Sequence, residues 1–85
     1  MKHAGAASLD RLELVLAELR SLPGLRERSR GVFYRKGRAF LHFHEDPEGL
    51  FADIRQAVGD DFERIDVTGG SGRGTLIAAA RERSA

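Results

Sequence analysis

The sequence predicts an α+β domain: an N-terminal helix, an antiparallel β-meander of three to four strands and a C-terminal helix, stacked as a two-layer sandwich. Three observations carry this prediction. Leu9, Leu12, Val15, Leu16, Leu19 and Leu22 recur at three- and four-residue spacing, the stripe of an amphipathic helix. Residues 31 to 45 read Gly-Val-Phe-Tyr-Arg-Lys-Gly-Arg-Ala-Phe-Leu-His-Phe-His-Glu, two aromatic and β-branched runs around Lys36-Gly37. Glycine there supplies the positive φ of a hairpin turn. Thr75, followed by Leu76, Ile77 and Ala80, opens a last helix running to about Arg83.

In chain order, residues 1 to 7 read as a flexible tail and residues 8 to 85 as one small domain. Ser8 is the expected N-cap of the first helix, with Asp10 in its first turn, while Leu14 falls off the apolar stripe. Pro23 and Gly24 end it near Ser21. Residues 24 to 30 form a basic connection containing Arg26, Arg28 and Arg30.

The hairpin follows. With Lys36 and Gly37 at its tip, Arg35 faces Arg38, Tyr34 faces Ala39, Phe33 faces Phe40 and Val32 faces Leu41. Alternation then puts Val32, Tyr34, Ala39, Leu41 and Phe43 on a core face, and Phe33, Arg35, Arg38, Phe40, His42 and His44 on a mixed face.

Residues 46 to 59 fit two templates. As a helix, the segment has Asp46 as N-cap, Pro47 at the first position and Gly59 as terminator. As a strand after an Asp46-Pro47-Glu48-Gly49 turn, it sets Leu41 opposite Ile54, His42 opposite Asp53, Phe43 opposite Ala52 and Glu45 opposite Leu50. The strand is preferred because that register joins Leu50, Ala52 and Ile54 to the apolar face of Leu41 and Phe43. Gly49 also suits a turn better than a helix interior, where it costs about 1 kcal/mol. Phe62 to Val67 reads as a further strand, and Thr68 to Gly74, with four glycines, as a loop.

A resemblance lies across residues 20 to 55. Leu22-Pro23-Gly24 after a helix, the basic hairpin Lys36-Gly37-Arg38-Ala39-Phe40 and the run His42-Phe43-His44-Glu45-Asp46 resemble the MmcQ/YjbR-like proteins. The resemblance implies a frataxin-like sheet bracketed by two helices, with nucleic-acid binding as the proposed activity. It carries over no catalytic residue. The chain is shorter than typical members and lacks a counterpart of their downstream His-Trp segment.

Composition narrows the function classes. A domain of 85 residues buries about 60–65 % of its unfolded surface, one modest core without a deep cleft. This points away from a self-contained multi-step enzyme. Without cysteine, disulfides and thiolate metal sites are excluded. No apolar run approaches the ~20 residues of a membrane span, and the first residues lack a signal peptide's apolar region. A soluble, cytoplasmic protein is expected, and the preference for Arg, Ala, Gly and Leu fits a GC-rich bacterial genome. The net charge of +1 divides into +5 over residues 1–44 and −4 over residues 45–85. The two halves are expected to interdigitate and largely cancel.

Three functions follow from the mixed face. The first is a non-enzymatic binding or interaction domain with an unidentified protein partner or self-association, using Phe33, Arg35, Arg38, Phe40, His42, His44 and Asp53. The second is nucleic-acid binding. Arg26, Arg28, Arg30, Arg35, Lys36 and Arg38 would meet phosphates, and Phe33, Tyr34 and Phe40 would stack on bases. The third is a small metal-binding protein or hydrolase. His42, His44 and Asp46 alternate on one strand, and the remaining histidine, His3, lies in the tail. Gly69 to Thr75 sits where a phosphate loop would, but lacks the lysine of the Walker pattern. No catalytic residue and no cofactor is assigned.

Overall fold

The computed structural model describes residues 2–85; Met1, the first residue of the expected tail, lies outside the described residues. The chain forms, in order, strand β1 (Lys2–His3), helices α1 (Ala6–Arg11) and α2 (Glu13–Arg20), strands β2 (Arg26–Ser29), β3 (Val32–Arg35), β4 (Arg38–Asp46), β5 (Gly49–Arg55) and β6 (Phe62–Asp66), and helix α3 (Gly70–Ser84). The fold is α+β as predicted, with all strand pairs antiparallel and the sheet order β2-β3-β4-β5-β6. The sheet holds six strands rather than three or four, because the basic connection pairs as β2 and the expected tail supplies β1.

The helical stripe is buried as its spacing demands: Leu12, Leu16 and Leu19 are fully enclosed, while Leu14 is 85 % exposed. These side chains meet Phe33, Phe40, Leu41, Phe43, Leu50, Ala52, Ile54 and Val67 from one face of the sheet, with Leu76 and Ala80 from α3. Each fully buried aliphatic or phenyl side chain stabilises the fold by about 1.5–3 kcal/mol. All three helices therefore cover one face and leave the other open.

Four expectations meet the structure here: three are corrected, and one, the strand at 46–59, is borne out. The first helix begins at Ala6, not after Ser8, and breaks at Leu12, whose N–H bonds back to the Leu9 carbonyl three residues away. Gly5 is its N-cap, and the Gly5 amide donates to Glu45 Oε1 at 2.6 Å. Residues 2 to 7 are therefore built into strand and helix rather than a free tail. β4 outruns β3, and Lys2 and His3 pair with the exposed edge at Glu45 and His44.

The second correction concerns the hairpin. Lys36 and Gly37 both have positive φ, 52° and 79°, the signature of a type I′ turn. Arg35↔Arg38 and Tyr34↔Ala39 pair as expected, but Phe33 then opposes Leu41 and Val32 opposes His42. Phe40 is the extra residue of a β-bulge. In the regular register both phenyl rings would face away from the helices. The bulge turns both into the core, where they are 1 % and 4 % exposed. Two buried rings outweigh one lost ladder hydrogen bond worth about 1 kcal/mol. Val32 and Tyr34 are correspondingly rotated off the core face, and Tyr34 packs under the Arg28 guanidinium at 4.5 Å.

The third expectation is the 46–59 segment, where the preferred strand is observed with the expected register from Leu41↔Ile54 to Glu45↔Leu50. The competing helix is absent. The fourth is the glycine run, which is not a loop: α3 starts at Gly70, and Thr75 lies inside it with its hydroxyl bonded to the Ser71 carbonyl. Gly72 sits so close to the Asp66 carbonyl that any Cβ would clash with it. Arg73 satisfies the Val67 and Thr68 carbonyls.

Candidate metal centre on the open sheet face

The open face is built around the middle of β4. With Leu41 and Phe43 turned to the core, His42 and His44 must point the other way. Their neighbours on that face follow from register. His42 lies between Val32 and Asp53, and Asp53 is followed by Arg64; His44 lies between His3 and Phe51. The pairing of β1 is what brings His3 in. Its ring stacks on His44 at 5.0 Å between centroids, and the His42 and His44 rings meet edge to face at 4.7 Å. One ring nitrogen from each of His3, His42 and His44 lies within 4.8 Å of the other two.

Asp53 organises the cluster from below. It is buried, and Arg64 grips it through two parallel hydrogen bonds of 2.8 Å each. The Arg64 guanidinium holds the Asp53 carboxyl below the usual carboxylate range, against the opposing effect of burial. Asp53 Oδ2 lies 3.1 Å from His44 Nε2. In the neutral ring that carboxylate accepts a hydrogen bond from Nε2–H, which places the lone pair on His44 Nδ1. The Nδ1 atoms of both His42 and His44 are buried without a hydrogen-bond partner. Buried polar nitrogens are almost always satisfied, so an unpartnered nitrogen on each of these two neighbouring rings calls for an explanation, and a bound ligand is one. Burial, and then the proximity of His44 and His3, push His42 below the ordinary histidine value, with Asp53 acting in the opposite direction. This shift favours the neutral form that a metal ligand needs.

Three imidazoles about 2.1 Å from a tetrahedral zinc ion would have nitrogens about 3.4 Å apart. The observed set spans up to 4.8 Å, so the rings would have to draw together to close on an ion. Its outer side is open, since His3 is exposed on the surface. The carboxylate behind His44 is the outer-shell partner that metal-ligating histidines ordinarily have.

The residues singled out in the sequence separate into three places. His42, His44 and Asp53 come together on the open face. Asp46 does not join them, because its carboxylate caps the following turn at the Glu48 amide. Arg35 and Arg38 lie at the far end of the hairpin, where Arg38 pairs with Asp60 at 2.7 Å. Phe33 and Phe40 belong to the core and cannot offer rings to a base or a partner. The basic stretch is also partly neutralised, with Arg30 bound to Asp10 and Glu13 at 2.9 Å each. Sequence reasoning missed His3, whose two-residue strand leaves no periodicity to read. It also missed Arg64, which the cross-strand charge pairing of Asp53 with the next strand would have suggested.

Compared with protein-family models, with curated proteins and with solved structures, the chain matches none. No helix among the described residues is long and apolar enough to cross a membrane.

Proposed function

We propose that this chain is a small metal-binding domain that holds one divalent transition-metal ion on its open sheet face through His3, His42 and His44. The observation that carries the reading is the convergence of three imidazole nitrogens within 4.8 Å, two of the rings having a buried and unpartnered nitrogen. An all-imidazole set suits zinc, copper, nickel or iron rather than magnesium or calcium, which prefer oxygen. Three protein ligands leave a fourth position toward solvent, where a water or a small ligand can bind. Asp53 acts as the positioning residue, fixing His44 in the tautomer that presents Nδ1, and Arg64 fixes Asp53.

Equilibrium dialysis of tag-free protein against zinc, followed by metal analysis, tests this reading. The expected result is one ion per chain in the wild type and none retained by His42→Ala or His44→Ala. Absence of uptake, or uptake that survives both substitutions, overturns it.

A further inference from the structure

A second site stands at the opposite end of β4, and its lining is cationic. The hairpin tip, the β5–β6 connection and the end of α3 enclose a cleft of about 190 Å³ lined by Arg35, Lys36, Arg38, Phe40, Arg55 and Arg83, among others. The type I′ turn makes Arg35 and Arg38 a facing pair, and β5 and α3 add Arg55 and Arg83. Two of the cations are held rigidly. Arg55 Nε donates to the Ala39 carbonyl at 2.8 Å, and its guanidinium lies over the Phe62 ring at 4.6 Å. Arg83 donates to the Arg55 carbonyl at 3.3 Å.

Opposing acids are too few to neutralise the cleft. Asp60 pairs with Arg38 at 2.7 Å and lies 3.9 Å from Arg55, and Glu63 pairs with Arg83 at 2.7 Å. Five cations thus meet two side-chain carboxylates and the main-chain oxygen of Ala85, and Lys36 has no ion-pair partner among the described residues. Arg35 donates one N–H to the main-chain oxygen of Ala85, and its Nε is buried with no acceptor. An ionised donor buried without an acceptor is costly, and Arg35 also lines the cleft, where an anion would offset its charge.

We propose that the cleft is a binding site for a phosphate dianion, free or as a phosphomonoester. Guanidinium forks match the oxygens of a phosphate, and a dianion offsets most of the surplus charge. The volume is below the roughly 300 Å³ at which sites for drug-sized ligands begin. The phosphate group and a short substituent fit inside it. The site is independent of the histidines, so either can fail alone.

The test is a titration of ¹⁵N-labelled protein with inorganic phosphate, glycerol phosphate and an oligonucleotide lacking terminal phosphates. Ionic strength is held constant with chloride. Saturable shifts of the Arg35 Nε–H and of the Lys36 and Arg83 signals are expected with phosphate, weakened at least tenfold in Arg35→Gln. Lys36→Gln, at an exposed turn position outside the core, should weaken binding while leaving the rest of the spectrum unchanged. Tighter binding of glycerol phosphate identifies an organic monoester as the ligand; tighter binding of inorganic phosphate identifies the free ion. Shifts that chloride reproduces, that survive both substitutions, or that only the oligonucleotide produces overturn the proposal.

Discussion

The two faces of the sheet are made from alternate residues of the same strands, yet they follow different rules. On the helix side, Leu41, Phe43, Ala52 and Ile54 are enclosed within one apolar cluster. On the open side, His42, His44 and Asp53 sit between them in sequence and are also substantially covered, but by one another and by Arg64. The covered face is a core whose stability comes from removing apolar surface from water. The open face instead holds polar groups close together, and two of its rings each have a buried nitrogen without a partner. Packing accounts for the first face; on the second, ion pairs and ring contacts account for all but the two unpartnered nitrogens, which the proposed ion would engage.

The largest effects should separate the faces by stability alone. Phe40→Ala should cost about 3–5 kcal/mol in urea denaturation, because the bulge carries this ring into the core. A loss within about 0.5 kcal/mol, the usual surface value, would return Phe40 to the open face. Adjacent positions on β4 give the cleanest contrast. Leu41→Ala should cost about 2–5 kcal/mol, whereas His42→Ala in metal-free protein should cost under about 1 kcal/mol. Equal losses at the two positions would erase the distinction between the faces.

The next effect belongs to the open face only. Asp53→Asn keeps the shape but weakens the grip on the His44 Nε2 proton and the fork to Arg64. Zinc affinity measured by competition with a chromophoric chelator should fall about 10–100-fold. An unchanged affinity would reduce Asp53 to a structural ion pair.

The smallest effect lies on the covered side, in the lattice that ties α2 to β2. Arg20 bonds both Glu13 and Glu27, and Glu27 also accepts from the Gly31 amide at 3.0 Å. Burial works upward on the Glu27 carboxyl, but the Arg20 guanidinium and the Gly31 amide outweigh it and hold it below its ordinary value. A depressed carboxylate contributes stability above its unfolded value, about pH 4.3, which is lost as the pH falls through the folded value. Unfolding free energy should therefore decline as the pH is lowered from about 5 to 3, and the decline should be shallower in Glu27→Gln. An identical slope would remove Glu27 from this account.

Much of this architecture is legible in the residues. The leucine stripe of the first helix and the β4–β5 register follow from periods of 3.6 and 2, because burial enforces both. Phe33 and Phe40 show where that logic stops. Strict alternation put them on the open face, and a single inserted bulge residue, invisible to periodicity, moved both rings inside. The glycines before Thr75 read as a loop because glycine favours one. At Gly72 the close approach of the Asp66 carbonyl requires a residue without a side chain, so the helix contains it. His42, His44 and Asp53 were legible as a group because they share one face of paired strands. His3 was not, since only the unpaired edge of β4 draws it in, and that edge is a property of strand lengths in the folded sheet.

His3 is therefore the residue on which the central claim turns. Cobalt(II) titrated into tag-free wild-type protein and His3→Ala, followed by visible absorption, measures it directly. The account predicts the intense d–d bands of a tetrahedral site saturating at one ion per chain, and their loss or marked weakening in His3→Ala with the fold intact. Identical spectra and affinity in the two proteins, or no bands in either, would contradict it.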